Sequence, residues 1–191
     1  MLLETLKDFD WYNEPQKVRF DESGMHVAAK MRSDFWACAR YDFCKDDGHF
    51  FFSYIKGDFI CDLNWSCADA DADLFNQCGI MVRLDEKNWF KASVMYESND
   101  SPMLATSLTC DGYSDLATLP LTAKTDRVWY RLQKRKGCYV AYYSLDGENF
   151  IQMRKFYLAR EKEEVMAGAY ICSPQSENFE ALLHDLQITK G

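Results

Sequence analysis

The chain predicts an all-β fold: a two-sheet antiparallel β-sandwich of the jelly-roll kind, with residues 1–191 as one domain. Three observations predict it. Short runs alternate apolar and polar residues at period two, as strands with one buried face do. Turn signals recur along the chain at Ser23-Gly24, Asp46-Asp47-Gly48, Asp111-Gly112, Lys136-Gly137 and Asp146-Gly147. Only Leu158 to Glu164 reads as a short helix. Apolar residues make up 48% and aromatics 15% of the chain. A domain of this size buries roughly 70% of its unfolded surface, so its core needs neither a metal nor a covalent staple.

In chain order, the strand-like runs are Met25 to Met31, His49 to Ile55 and Phe59 to Trp65, then a hairpin over Gly79 to Glu97. Val128 to Gln133, Tyr139 to Ser144, Met166 to Cys172 and Ala181 to Ile188 follow. Longer loops fall at Ser66 to Asn76 and Ser173 to Asn178. In the hairpin, Ile80, Val82 and Leu84 alternate with Met81 and Arg83. Phe90, Ala92, Val94 and Tyr96 alternate with Trp89, Lys91, Ser93, Met95 and Glu97. The two apolar sets share a face if the loop has odd length. A three-residue loop, Glu86-Lys87-Asn88, with a left-handed Asn meets that condition. Leu84 is then expected opposite Phe90, Val82 opposite Ala92, and Arg83 opposite Lys91.

The formal net charge is -8 and the pI about 4.9. This excludes a phosphate-backbone partner, because no basic stripe offsets the repulsion. Lys134-Arg135-Lys136 reads as a solvated hairpin tip. The N-terminal MLLETLKDFDW is acidic and lacks a signal-peptide core, and no later run is apolar enough to span a membrane. A cytoplasmic location is therefore expected. There the eight cysteines would stay reduced, with Cys38, Cys61, Cys110, Cys138 and Cys172 as small buried apolar groups. None forms a Cys-x-x-Cys pair, and neither Cys38 to Cys44 nor Cys61 to Cys67 has the spacing of a structural zinc site. Asp69, Asp71 and Asp73 resemble the start of a calcium loop. The sixth position is Leu74 rather than Gly, and the twelfth is Ile80 rather than Glu. No metal and no cofactor is expected.

Two groups of residues are candidates for binding. The first is the polar face of the hairpin. Arg83 and Lys91 are two neighbouring cations that call for an anion, either Glu97 or a ligand. Trp89 beside them is an apolar plate of the kind on which sugars stack. The second is Asp34-Phe35-Trp36 with Gly48-His49, where Trp36 and His49 fall at neighbouring strand ends, although a lone histidine is more often structural. Gln77 joins these as a hydrogen-bonding group. His26 and His184 read as structural.

Four blocks carry a family resemblance. They are Asp34-Phe35-Trp36 with Asp47-Gly48-His49; Gln77 to Asp85 with Asn88-Trp89-x-Lys91; Tyr143-Ser144-x-Asp146-Gly147; and Gly168-x-Tyr170 with His184-Asp185-Leu186. Together they resemble the regulation-of-enolase-like family, whose domain has no assigned function. Tyr41-Asp42-Phe43 departs from the family's Tyr-Gly-Phe, and Cys78 from its usual Ala. The third block is also similar to sandwich modules appended to xylan- and arabinan-degrading enzymes. The resemblance implies a concanavalin A-like lectin/glucanase sandwich within a carbohydrate-leaning superfamily, and it supplies no active site. The Glu-x-Asp-x-x-Glu strand of jelly-roll glucanases is absent, which leaves Glu97 with Asp62 as the one carboxylate pair to test. The expected function is non-catalytic binding of a carbohydrate or small anionic metabolite on a concave sheet face, using Asp34, Trp36, His49, Gln77, Arg83, Trp89, Lys91 and Glu97. The alternatives are a regulatory protein-interaction module and an unrecognised glycoside hydrolase.

Overall fold

A computed structural model describes residues 6–37, 43–67, 75–96, 102–121, 126–160, 162–175 and 179–191. Its strands are β1 (Asp10–Tyr12), β2 (Lys17–Asp21), β3 (Gly24–Ala28), β4 (Phe35–Trp36), β5 (Lys45–Asp46), β6 (His49–Lys56), β7 (Phe59–Cys67), β8 (Gln77–Asp85), β9 (Asn88–Tyr96), β10 (Pro102–Cys110), β11 (Tyr113–Ser114), β12 (Ala117–Pro120), β13 (Arg127–Arg135), β14 (Cys138–Ser144), β15 (Ile151–Tyr157), β16 (Glu164–Cys172) and β17 (Glu180–Lys190). One sheet runs β1-β6-β16-β8-β9-β10, with β11 and β12 both on β10; the other runs β15-β14-β13-β7-β17-β3-β2. All strand pairs within them are antiparallel. The two sheets form the expected sandwich.

The described residues contain no helix, so none is long and apolar enough to cross a membrane. The stretch expected to be helical holds a turn at Ala159-Arg160, followed by the start of β16. Its charged residues flank a connection between two strands rather than one face of a helix. Strands β2, β10, β12 and β15 went unanticipated. Three of them lie at sheet edges, where one-sided exposure blurs the alternation.

The expected apolar face of the hairpin lies between the sheets. Ile80, Val82, Leu84, Phe90, Ala92 and Val94 all belong to the main core, and Phe90 stacks on Phe156 with ring centroids 4.0 Å apart. Two polar side chains of the facing sheet pin β8 and β9 across this core. Trp65 Nε1 donates to Gly79 O at 3.0 Å. Tyr130 Oη accepts from Val94 N at 2.8 Å and donates to Cys78 O at 3.4 Å. Gly79 can only be glycine, because a Cβ there would lie 1.9 Å from the Ala92 carbonyl oxygen.

The hairpin register differs from expectation by two residues. Val82 pairs with Phe90, Arg83 with Trp89 and Met81 with Lys91, and an irregularity between Arg83 and Asp85 brings Asp85 opposite Asn88. The turn is closed by Asp85, whose Oδ1 accepts from Lys87 N and Asn88 Nδ2, both at 2.9 Å. Asn88 is therefore used as a side-chain donor and is absent from the residues with positive φ. An even shift leaves each side chain on its original face, so the faces hold although the partners change.

The second hairpin turns at Lys136-Gly137, both with positive φ, as a two-residue primed turn requires. Lys134, expected to be solvated, is buried beside the Tyr139 ring. The Ser144-x-Asp146-Gly147 motif is a locked turn. Asp146 accepts from Asn149 Nδ2 and from the amides of Asn149 and Glu148, and these bonds, with Ser144, hold its carboxyl well below the usual range.

Cys61, Cys67, Cys78, Cys110, Cys138 and Cys172 are free thiols. Burial pushes the Cys61 and Cys172 thiols far up. Cys110 is exposed, not buried as expected, and Cys44 is disulfide-bonded. An argument from compartment treats all cysteines alike, whereas Cys44 is exposed and already bonded. Cys38 and the Asp69, Asp71 and Asp73 motif lie outside the described residues.

Phe90→Ala should cost about 3–5 kcal/mol in denaturant melts, because it empties a fully buried stacked ring from the centre of the core. A cost below about 1 kcal/mol would mean that the face does not carry the packing assigned to it.

Candidate functional site

The other face of the hairpin is covered by the chain itself. Met81, Arg83, Trp89, Lys91, Ser93 and Met95 point away from the core, yet all are buried. The cover is the small β4–β5 hairpin, built by the first family block. Asp34 O accepts from the amides of Asp47 and Gly48 at 3.1 and 3.0 Å, and Asp47 Oδ1 accepts from Asp34 N at 3.1 Å. Gly48 leaves room for the Phe35 ring, which a Cβ would approach to 2.5 Å. Phe35, fully buried, then packs edge-on against Trp89 and Tyr170. With Phe50, Phe52, Met81 and Cys172 they make a second, smaller apolar cluster. Beyond Trp36 the cover is tied to β11 by Ala37 N to Ser114 Oγ and Ser114 N to Ala37 O.

Each hairpin cation finds its anion in this cover. Arg83, 1% exposed, grips Asp46 with two nitrogens at 2.6 and 2.7 Å. Its guanidinium also donates to Tyr12 Oη at 3.1 Å and lies 4.3 Å from the Tyr12 ring centroid. The Tyr12 hydroxyl donates to Asp46 at 2.6 Å; burial and that bond raise its pKa above 10.0. Lys91 Nζ pairs with Asp34 Oδ1 at 3.1 Å. Such planar two-bond Arg–carboxylate geometry is the strong form of an ion pair.

Beside these pairs lies a cavity of about 550 Å³. Gln77, Lys91, Ser93 and Met95 of the hairpin and Tyr170 of β16 lie on one side; Trp36, Phe43, Phe75, Leu116 and Pro174 wall it, with Asp34 at its edge. Phe75 adopts φ 69°, a strained conformation for a bulky residue. Two polar groups face the cavity with hydrogen-bonding capacity to spare. Gln77 Oε1 accepts from the Tyr170 hydroxyl at 3.2 Å, but its Nε2 donates only to the weak acceptor Met95 Sδ at 3.7 Å. Ser93 Oγ is buried beside the Tyr170 hydroxyl without a well-formed hydrogen bond.

Of the residues expected to form a site, the structure brings Asp34, Trp36, Gln77 and Lys91 to this cavity. Trp89 is sealed under Phe35, with its edge on a separate depression of about 440 Å³ near Lys45, Asp46, Glu86 and Lys87. Arg83 is held through both terminal nitrogens by Asp46 and Tyr12, with Nε buried and unpartnered, and it does not line the cavity. His49 is 3% exposed; its Nε2 accepts from Lys30 N at 2.9 Å and its Nδ1 bonds Asn13 O at 2.6 Å. It is a structural tie from β6 to the segments that follow β1 and β3. Glu97 lies outside the described residues, and Asp62 is bound by Arg131 at 2.7 and 3.0 Å on the opposite sheet. Ser93 and Met95 share the parity of Lys91, so their place was readable. Phe75 and Leu116 come from distant loops and carry no local signal, and Tyr170 stood out only as part of the Gly168-x-Tyr170 block.

A family model described as "Protein of unknown function (DUF1349)" matches residues 11–191. The chain belongs to this family. It is 26% identical over 180 residues to Regulation of enolase protein 1 of Saccharomyces cerevisiae, covering 94% of this chain and 88% of that protein. A crystal structure of a functionally unknown protein from Saccharomyces cerevisiae superposes with a TM-score of 0.89 at 25% identity, over 97% and 98% of the two chains. The carbohydrate binding module CBM66 of Bacillus subtilis shares the sandwich, with a TM-score of 0.57 at 11% identity over 94% and 95%. Three of the four blocks that carry the resemblance have visible work in this fold: one builds the cover, one the covered hairpin and one a locked turn.

Asp46→Ala should destabilise the protein by about 3–5 kcal/mol, because it strands a buried guanidinium; an urea melt within about 1 kcal/mol of wild type would refute the clamp. Stability should also fall with acid. Burial holds His49 below its ordinary pKa of 6.5, so near that pH the unfolded chain takes up a proton that the folded chain refuses. The His49 contribution is complete above about pH 7 and declines as pH drops below 6.5 toward the lower folded value. Burial lowers His184 as well. Urea melts from pH 7.5 to 5 should therefore show a shallower decline, not a flat one, for His49→Gln.

Proposed function

We propose that this chain binds an uncharged, hydroxyl-rich small molecule of the carbohydrate class in the cavity under the β4–β5 cover. The observation that carries the reading is the pairing of under-satisfied polar groups, Gln77 Nε2 and Ser93 Oγ, with aromatic walls around a space of about 550 Å³. Ligand sites combine a mostly apolar lining with a few such groups. The sandwich shared with a carbohydrate binding module supports the reading. An anionic metabolite is less well served, because Lys91 is already neutralised by Asp34 and Arg83 by Asp46. Trp36 is the stacking platform, in place of the buried Trp89.

A glycoside hydrolase needs two carboxylates across a sugar bond. Among the described residues lining the cavity only Asp34 carries one, and it is held by Lys91. The proposed function is therefore binding without turnover.

A thermal-shift screen of neutral mono- and disaccharides against sugar phosphates and sugar acids, followed by calorimetric titration of hits, tests this. Neutral sugars should bind, and Trp36→Ala and Gln77→Ala should each weaken binding several-fold, Trp36→Ala with little change in melting temperature. Hits confined to anions, or hits indifferent to both variants, would contradict it.

A further inference from the structure

Cys67 and Cys78 face each other where the two sheets meet. Cys67 ends β7 in one sheet and Cys78 lies at the start of β8 in the other, and their Sγ atoms are 3.1 Å apart as free thiols. Cys67 is half-buried, whereas Cys78 is fully buried beside Tyr130, whose hydroxyl bonds the Cys78 carbonyl. A disulfide needs about 2.05 Å between sulfurs, so closure asks for a movement of about 1 Å. Chance packing of two apolar cysteines would not require this contact to bridge two sheets with one of the two residues half-buried. The other free thiols differ: Cys61 is sealed in the core, Cys172 is sealed under the cover against Asp34, Cys110 is exposed on another strand, and Cys138 is half-buried at the start of β14.

We propose that Cys67 and Cys78 are a peroxide-reactive dithiol that closes to an inter-sheet disulfide. Cys67, the accessible member, attacks one peroxide oxygen; the O–O bond breaks, Cys67 becomes a sulfenic acid and one water leaves. Cys78 sulfur then attacks the Cys67 sulfur, the S–O bond breaks, and the Cys78 proton leaves with the hydroxyl as a second water. Two thiols have lost two electrons and one hydrogen peroxide has gained them. The bond joins the sheets one residue from Gln77, which together with Phe75 enters the cavity. The inference does not depend on what that cavity binds.

The test is oxidation of the full chain, its Cys44 disulfide left intact, with one equivalent of hydrogen peroxide, followed by alkylation and digestion at aspartate. Cleavage before Asp62, Asp69, Asp73 and Asp85 places Cys67 and Cys78 on separate peptides, 62–68 and 73–84. The expected product is these two peptides cross-linked, with a rise in melting temperature of about 5 °C or more that is absent in Cys67→Ser. Before oxidation, and with the Cys44 disulfide intact, phenylarsine oxide, which bridges only adjacent thiols, should bind the wild type at one equivalent and the variant at least tenfold less. Cys67→Ala serves if Cys67→Ser does not fold. Over-oxidation of Cys67 without a cross-link, a cross-link of Cys78 to Cys172 instead, or equal arsenical binding by wild type and variant would each overturn the proposal.

Discussion

The Arg83–Asp46 clamp governs how this sandwich is used. A guanidinium that is 1% exposed cannot stand without its carboxylate, since an unpaired buried charge costs several kcal/mol. Asp46 comes from the cover, so the pair ties the β4–β5 segment to the outer face of the large sheet. Lys91 and Asp34 repeat the device a short distance away. Between the two tethers the cover lays Phe35 onto Trp89 and Tyr170 and creates a second apolar cluster outside the main core. The space left between Trp36 of the cover, Gln77 and Phe75 is the cavity.

The clamp also changes the chemistry expected of the face. Two neighbouring cations on a bare sheet would recruit an anion from solution. Here the chain supplies both anions itself, so the cations are structural. Arg83 Nε is left unpartnered but does not line the cavity, so the hydrogen-bonding capacity left over there belongs to neutral groups, an amide on a thioether and a hydroxyl without a good partner. That shift from charged to neutral recognition is the main consequence of the fold for function.

The sandwich was legible because strand alternation is a local signal. Ile80 to Val94 declared its two faces, and both hairpins turn where Asp85 to Asn88 and Lys136-Gly137 say they should. The pairing partners were not legible: Asp85 closes the first turn with its side chain, and periodicity alone does not distinguish a register from one shifted by two residues. Burial of the polar face was also hidden, because it depends on Asp34 and Asp46 returning from more than thirty positions away. Trp89 therefore read as a binding plate when it is a floor, and Trp36 takes the wall. His49 shows the same limit. A histidine at a strand end announces a polar group, but only the fold reveals that Asn13 and Lys30 use both nitrogens.

The central claim, a neutral-ligand cavity beneath a clamped cover, is tested most directly by nitrogen-edited NMR of the protein titrated with a neutral saccharide. The account predicts saturable shifts of the Trp36 indole N–H and the Gln77 side-chain amide, with the Arg83 guanidinium signals and the Trp89 indole N–H nearly unmoved. Shifts centred on Arg83 and Trp89, produced only by anionic sugars, would contradict it.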